Sequence, residues 1–299
     1  MKRHLVVDDL ARDGRFTRVS IEDRLTDPRS ARNRPVGDSA DGKSSAGTAP
    51  IKRAGRRRLD PTVAAAPDTA RNTMHGIFVG EIQALEGAGR TCFDYDCGPG
   101  QDEVPFELKL DMARQCWDEA RHVEISCKLA DFMGTEIGEF GESTMLFEAA
   151  CNPDAVLRLA GVNRGLEGLA IDVFNTMREF GEQCGDPVLE FCEDWMLADE
   201  VTHVKMGSDW LRRLTASDPT RLARALEFQR VVDKLFSYGG IRGDDEDSPL
   251  RLARRFRELA GFDAAELDEI AALSREAADE RRAAAAARQS TTGRTSGVA

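Results

Sequence analysis

Two short runs hold the residues best suited to chemistry: Asp118-Glu119-Ala120-Arg121-His122 and Asp199-Glu200-Val201-Thr202-His203. Each contains Glu-x-x-His followed by Val, and on a helix a Glu and a His three apart project from one face. Two of the chain's 4 histidines lie in these runs. Upstream, Leu85-Glu86-Gly87 and Leu166-Glu167-Gly168 form a second matched pair. Glu86 precedes Glu119 by 33 residues, and Glu167 precedes Glu200 by the same 33. The spacing predicts two helical hairpins. Each supplies one Glu from its first helix and Glu-x-x-His from its second.

Six metal ligands are therefore expected: Glu86, Glu119, His122, Glu167, Glu200 and His203. Four carboxylates and two imidazoles converging inside a helical bundle make a dinuclear iron or manganese site. The carboxylates offset four positive charges and two of them can bridge the ions, while oxygen and imidazole donors suit iron or manganese better than zinc. Asp118 and Asp199, each preceding a ligand Glu, are expected to accept the outward N–H of a ligand histidine, with Arg121 pairing to such an Asp. Gly87, Gly165 and Gly168 lower helix propensity beside the ligand carboxylates. They are assigned here to a pocket for O2 or substrate, with close helix packing as the alternative.

Other titratable groups fit less well. Glu81 lies five residues before Glu86, about 140° away around a helix. It is set aside because it cannot share the Glu86 face and because its counterpart in the second hairpin is Val162. His75 is expected to have a capping or surface role, and His4 lies in the tail. Glu142 and Glu148, in the crossover, are a minor alternative that would reach over the bundle end. Trp117 and Trp195 are read as core.

The elements that must position these groups are helical. Apolar residues recur at three- and four-residue steps over about 68–91, 105–133, 153–182 and 187–214, and strand-like alternation is nearly absent. A turn-rich loop with Gly98-Pro99-Gly100 joins the first two, and Gln183-Cys184-Gly185-Asp186 joins the last two. The long stretch 134–152 crosses between hairpins, with a short helix near 143–150. The expected class is all-α: a four-helix bundle with a crossover helix and further helices near 221–236, 250–259 and 264–287. An acidic loop, Gly243-Asp244-Asp245-Glu246-Asp247, reads as a solvated turn because it lacks the spacing of a calcium loop. The domain plan is a basic, disordered head over 1–68, the bundle over 69–214, a helical extension over 215–287 and a disordered tail over 288–299.

The chain has 299 residues, of which 41% are hydrophobic and 31% charged, with a net charge of -12. No apolar run approaches the ~20 residues of a spanning helix, and the N-terminus meets acid before any hydrophobic stretch. The 7 cysteines are scattered singly, as free thiols in a reducing compartment would be, so a cytoplasmic location is expected. Residues 1–60 carry a net charge of +6 and the remainder -18. So acidic a body repels a nucleic-acid backbone.

The stretch from about Met74 to Leu211 resembles the ferritin-like superfamily of non-haem di-iron carboxylate proteins. More narrowly, Glu81-Ile82-Gln83-Ala84-Leu85-Glu86, the run from Asp199 to Trp210 and the run from Arg254 to Phe262 are similar to a bacterial ferritin-like branch of unknown function. The resemblance implies the same six ligands and leaves the substrate open. A radical-generating role is disfavoured, since Tyr95 lies in a loop and Tyr238 far downstream. Met196 stands where some N-oxygenating relatives place a further His. The expected function is O2-dependent oxidation of a small organic substrate by hydroxylation, desaturation or N-oxygenation. Two iron ions are the expected cofactor, with manganese as the variant, and an electron donor and a homodimer are compatible partners. A ferroxidase or iron-binding protein is the alternative, and a tRNA hydroxylase the third reading.

Overall fold

The computed structural model describes residues 16–18, 34–35, 68–100, 103–236, 242–243 and 250–295. Expectations for the rest of the head, for 244–247 of the acidic loop and for 296–299 lie outside the described residues, while 288–295, expected to be disordered, continue the last helix. The described chain is predominantly helical. Its elements are β1 (Phe16–Arg18), β2 (Arg34–Pro35), α1 (Asp68–Asp94), β3 (Asp96–Cys97), β4 (Glu103–Val104) and α2 (Phe106–Phe132). After β5 (Glu142–Ser143) and α3 (Met145–Ala150) comes α4 (Ala155–Arg158), which runs through a π-helical stretch (Leu159–Leu166) into α5 (Glu167–Cys184). Next are α6 (Pro187–Thr215), α7 (Pro219–Phe236), β6 (Arg242–Gly243), β7 (Leu250–Arg251), α8 (Arg254–Leu259) and α9 (Ala264–Thr295). The strands are short. β1 pairs antiparallel with β2 and parallel with β5, so a piece of the head expected to be disordered lies along the crossover.

The hairpin between α5 and α6 follows directly from its sequence. Gly185 takes a left-handed φ of 69° that ends α5. Asp186 then caps α6 by accepting from Val188 N at 3.1 Å and Leu189 N at 3.0 Å, and Pro187 occupies the first turn, where its missing N–H is unneeded. α2 and α6 run antiparallel. Trp210 Nε1 donates to Asp111 Oδ2 at 2.6 Å, and 85 residues apart in sequence His203 meets Asp118 on the same seam.

The core joins Met74 and Ile77 of α1, Leu129 of α2, Ile171, Phe174 and Met177 of α5, and Leu189, Met196 and Val204 of α6 to Phe262, Leu267 and Ile270 near the C-terminus. The C-terminal helices therefore share the main core. They are fastened by a buried ion pair, in which Arg257 donates through Nη2 to Asp172 Oδ2 at 2.6 Å and through Nε to Asp172 Oδ1 at 3.0 Å. Arg164 of the π-helical stretch adds a second link, bonding Ser208, Gln229 and Glu266. Among the described residues no helix is long and apolar enough to cross a membrane.

α2 does not bury the stripe its apolar residues suggest. Trp117, read as core, is 67% exposed, and Phe106 and Leu110 are exposed with it. The inward residues step by fours and threes through Leu108, Met112, Gln115, Glu119, His122, Ser126 and Leu129. The middle of this stripe is polar, so hydrophobicity alone selects the wrong face.

Candidate metal centre

α6 presents the same inward stripe as α2: Leu189, Glu193, Met196, Glu200, His203, Gly207 and Trp210. Antiparallel packing of the two helices superposes their middles, so Glu119 and His122 confront Glu200 and His203. α1 adds Glu81 and α5 adds Glu167 from the opposite side. Two sets of ligand atoms result, each lying within 4.8 Å of one another: Glu81, Glu119, His122 and Glu200, then Glu119, Glu167, Glu200 and His203. Glu119 and Glu200 belong to both. All six residues are buried, with Glu119, His122, Glu200 and His203 at 0% exposure.

The histidines face both ways. His122 Nδ1 lies 3.0 Å from Glu81, 3.2 Å from Glu119 and 3.3 Å from Glu200, while its Nε2 lies 3.3 Å from Asp199. His203 Nδ1 lies 3.2 Å from Glu119 and 3.5 Å from Glu200, and its Nε2 lies 3.3 Å from Asp118. Each Asp thus serves the histidine of the other helix. An Nε2–H donated to Asp leaves the Nδ1 lone pair aimed at the carboxylates, the orientation a metal ligand needs. Arg121 ties the arrangement together by bonding Asp118 and, at 3.2 Å, Asp199, and its guanidinium lies 4.6 Å from the Trp195 ring.

One expected ligand is misplaced. Glu86 is half-buried on the flank of α1, where burial pushes its carboxyl up and Arg90 draws it back. The register explains the substitution. Cys116 Sγ lies 3.8 Å from Leu85 O, so residue 86 is level with a point about one turn from Glu119. Gly87 next to it faces the crossover helix α3. Glu81, about 140° around the helix, points inward at the level of His122. The equal 33-residue offsets do not place Glu86 and Glu167 alike, because residues 95–105 join α1 to α2 whereas only residues 185–186 join α5 to α6.

The three glycines do not line a pocket. A Cβ built on Gly87 would lie 3.0 Å from Ala150 Cβ, one on Gly165 would lie 3.0 Å from Val232 Cγ1, and one on Gly168 would lie 2.9 Å from Arg257 Nη1. Gly161 joins them beneath Phe228 at 2.3 Å. These residues are small because α3, α7 and α8 pack directly onto the helices that carry the cluster.

His75 is buried. It accepts from Gly138 N at 2.8 Å through Nε2 and meets Glu142 Oε1 at 2.9 Å through Nδ1, clamping the crossover. Glu148 accepts from Thr144 Oγ1 at 2.7 Å. Neither Glu142 nor Glu148 joins the cluster.

Glu81, set aside in the sequence reading, belongs to the cluster, and three further buried groups escaped that reading: Gln115, Asn163 and Glu193. Asn163 Nδ2 donates to Gln115 Oε1 at 2.8 Å, and Gln115 Nε2 donates to Glu167 Oε1 at 2.9 Å and Glu119 Oε1 at 3.0 Å. This chain closes one end of the cluster. Asn163 fits because Gly207 leaves it room, a Cβ there lying 2.3 Å from Asn163 Cβ. It belongs to the π-helical stretch, a rare geometry that concentrates at functional sites. Gln115 and Glu193 each lie on the inward step of a Glu-x-x-His helix, a signal available once the face is fixed by the motif.

Charge and burial conflict inside the cluster. Burial pushes Glu81 and Glu167 well above the carboxylate range, and the negative neighbours Glu119 and Glu200 add to it. For Glu119 and Glu200 burial is outweighed by the adjacent imidazoles, which hold both low. For His122 and His203 the surrounding carboxylates overcome burial and raise both. Without an ion the cluster thus sets two raised imidazoles against two lowered carboxylates, with the outer two carboxyls raised. Even so, Glu119 Oε2, both Glu200 oxygens and His203 Nδ1 are buried with no hydrogen bond. Buried polar atoms are seldom left so. Glu119 and Glu200 are common to both sets and His203 completes one of them, so cations there would satisfy these atoms and the donor set fits metal.

Fold and site together define a predominantly helical protein with a buried carboxylate–imidazole cluster able to hold metal. Residues 30–268 match the family model described as Protein of unknown function (DUF455), and the chain belongs to that family. Neither the curated proteins nor the solved structures gave a match.

Proposed function

We propose that the chain is a ferritin-like di-metal carboxylate enzyme that uses O2 to oxidise a small organic substrate. The reading rests on one observation: two four-residue sets that share Glu119 and Glu200, each completed by one terminal Glu and one His. Glu81 and His122 would hold one ion, Glu167 and His203 the other, and the shared carboxylates would span both. Iron or manganese held there would supply the electrons and Lewis acidity for O2 reduction.

The protein's own contribution is positional. Asp118 and Asp199 hold each imidazole with Nε2–H outward. Arg121 and Trp195 cover the seam between α2 and α6 and keep water from the histidines. Gln115 orients Glu119 and Glu167 through its amide, and Asn163 fixes that amide by donating to its oxygen. A water-excluded, fully buried site suits retention of the ions with electrons directed to substrate. The -18 body disfavours a nucleic-acid substrate.

The test is anaerobic loading with ferrous ion, metal analysis, then exposure to O2 with excess ferrous ion and no organic substrate. About two ions per chain and a stoichiometric end point are expected. Continued oxidation with a ferric mineral would establish the ferroxidase alternative instead. Zinc alone at one per chain would remove the dinuclear assignment.

A further inference from the structure

Glu193 is 0% exposed, and neither of its carboxylate oxygens has a hydrogen-bond partner. It stands on the inward stripe of α6, seven residues before Glu200. Seven residues are within ~20° of two full turns, so Glu193 shares the face of that shared ligand, about 10.5 Å along the helix. Met196 lies between them, one turn from each. Across the seam, Ser126 Oγ reaches only the Met196 sulfur at 3.8 Å. Continuing the antiparallel register one turn past Ser126 and Met196 brings Glu193 level with Leu129. Gly181 beside Glu190, and Arg178 beside Asp194 at 3.8 Å, bring it level with Met177 on α5. Both Leu129 and Met177 are buried in the main core.

The matching position on α2 is Met112, so the fold does not require a carboxyl at this step. A carboxyl without a partner in apolar surroundings is unfavourable, and its presence calls for a group that arrives from outside. Water is a poor candidate because it needs two to four polar partners, whereas the core levels of Leu129 and Met177 offer apolar surface. An anion would be disfavoured by the carboxyl. A cationic N–H donor on an apolar stem satisfies both demands: the ammonium pairs with the carboxylate, and the stem lies along Met196 and Phe174. Met196 is suited to this, since an unbranched thioether adapts its shape to its neighbours.

We infer that Glu193 recognises the protonated amine of an elongated organic substrate and holds its oxidisable carbon beside Glu200. The inference deepens the enzyme reading above and rests on it. Glu193 is a specificity-determining residue in this scheme, two turns removed from the ion-binding groups.

The experiment uses the metal-loaded full chain with n-hexylamine, hexan-1-ol and hexanoate as probes. Calorimetry reads affinity, and infrared difference spectroscopy reads the neutral carboxyl stretch of Glu193. The amine is expected to bind at least tenfold tighter than the alcohol and to abolish the carboxyl band, with hexanoate weakest. Glu193→Gln should lose at least tenfold in amine affinity while keeping alcohol affinity, helicity and metal content. Equal affinity for amine and alcohol, amine binding that survives Glu193→Gln, or no binding of any probe would overturn the inference. If the variant fails to fold, the wild-type carboxyl band decides: its persistence at saturating amine overturns the inference. Metal content is measured separately, so a chain that binds amine at Glu193 but no ion pair would defeat the enzyme reading alone.

Discussion

Glu81 Oε2 lies 3.0 Å from His122 Nδ1, joining the first long helix to the second at the heart of the buried cluster. The contact completes the set that Glu119 and Glu200 share with His122. Glu81→Ala should therefore lower the metal content by about one ion per chain. Glu86→Ala should leave it unchanged, because Glu86 is half-buried on the flank of α1 and faces Arg90. Elemental analysis of both variants after identical loading checks this. Equal loss in the two would return Glu86 to the site.

Metal binding should release protons. Glu81 and Glu167 are held above the carboxylate range by burial, and His122 and His203 are held protonated by the carboxylates around them. All four must give up a proton to become ligands. Affinity for divalent ions should accordingly rise with pH and fall with acidification, since protons compete for the same atoms. Calorimetry in buffers of different ionisation enthalpy should find net proton release as ions bind. Zero release would mean that the ions bind elsewhere.

Asp199 Oδ2 lies 3.3 Å from His122 Nε2, although Asp199 neighbours Glu200 in sequence. Asp199→Ala should weaken binding of the ion held by His122, and Asp118→Ala that of the ion held by His203. Loss of such an outer partner typically lowers metal affinity about 10–100-fold. Competition titration with a chelator, combined with histidine-specific NMR, identifies which imidazole is disturbed in each variant. An effect on the nearer histidine in sequence would contradict the crossed pairing.

Arg257 and Asp172 are both fully buried and bond at 2.6 Å. Arg257→Met should destabilise the fold by roughly 3–5 kcal/mol, because it leaves an uncompensated carboxylate in the core. Adding Asp172→Leu should restore most of that stability. Gly168→Leu should also destabilise, since a Cβ there would lie 2.9 Å from Arg257 Nη1. Denaturant unfolding of the parent and these three variants measures the differences. Stability in the single Arg257 variant equal to that of the parent would show that the C-terminal helices are not fastened there.

Packing across the seam decided which histidine each Asp meets, while sequence alone determined the helical class and singled out the two Glu-x-x-His runs, with Glu167, Asp118, Asp199 and Arg121 as candidates. These are local matters: a three-residue step on a helix fixes a shared face whatever surrounds it. Tertiary structure decided between Glu81 and Glu86, since both are carboxylates on one helix and only packing against α2 and α3 says which face turns inward. It also decided the glycines, which make way for Ala150, Val232 and Arg257, side chains supplied by other elements. Trp117 looked like core because it is large and apolar, yet the interior of α2 is polar at the cluster and leaves the tryptophan outside. The unequal connections, residues 95–105 in the first hairpin and 185–186 in the second, broke the apparent repeat, because equal spacing in sequence then corresponds to different levels along the helices. Glu193 became informative only when the fold buried it without a partner, because burial belongs to the assembled interior and to no single residue.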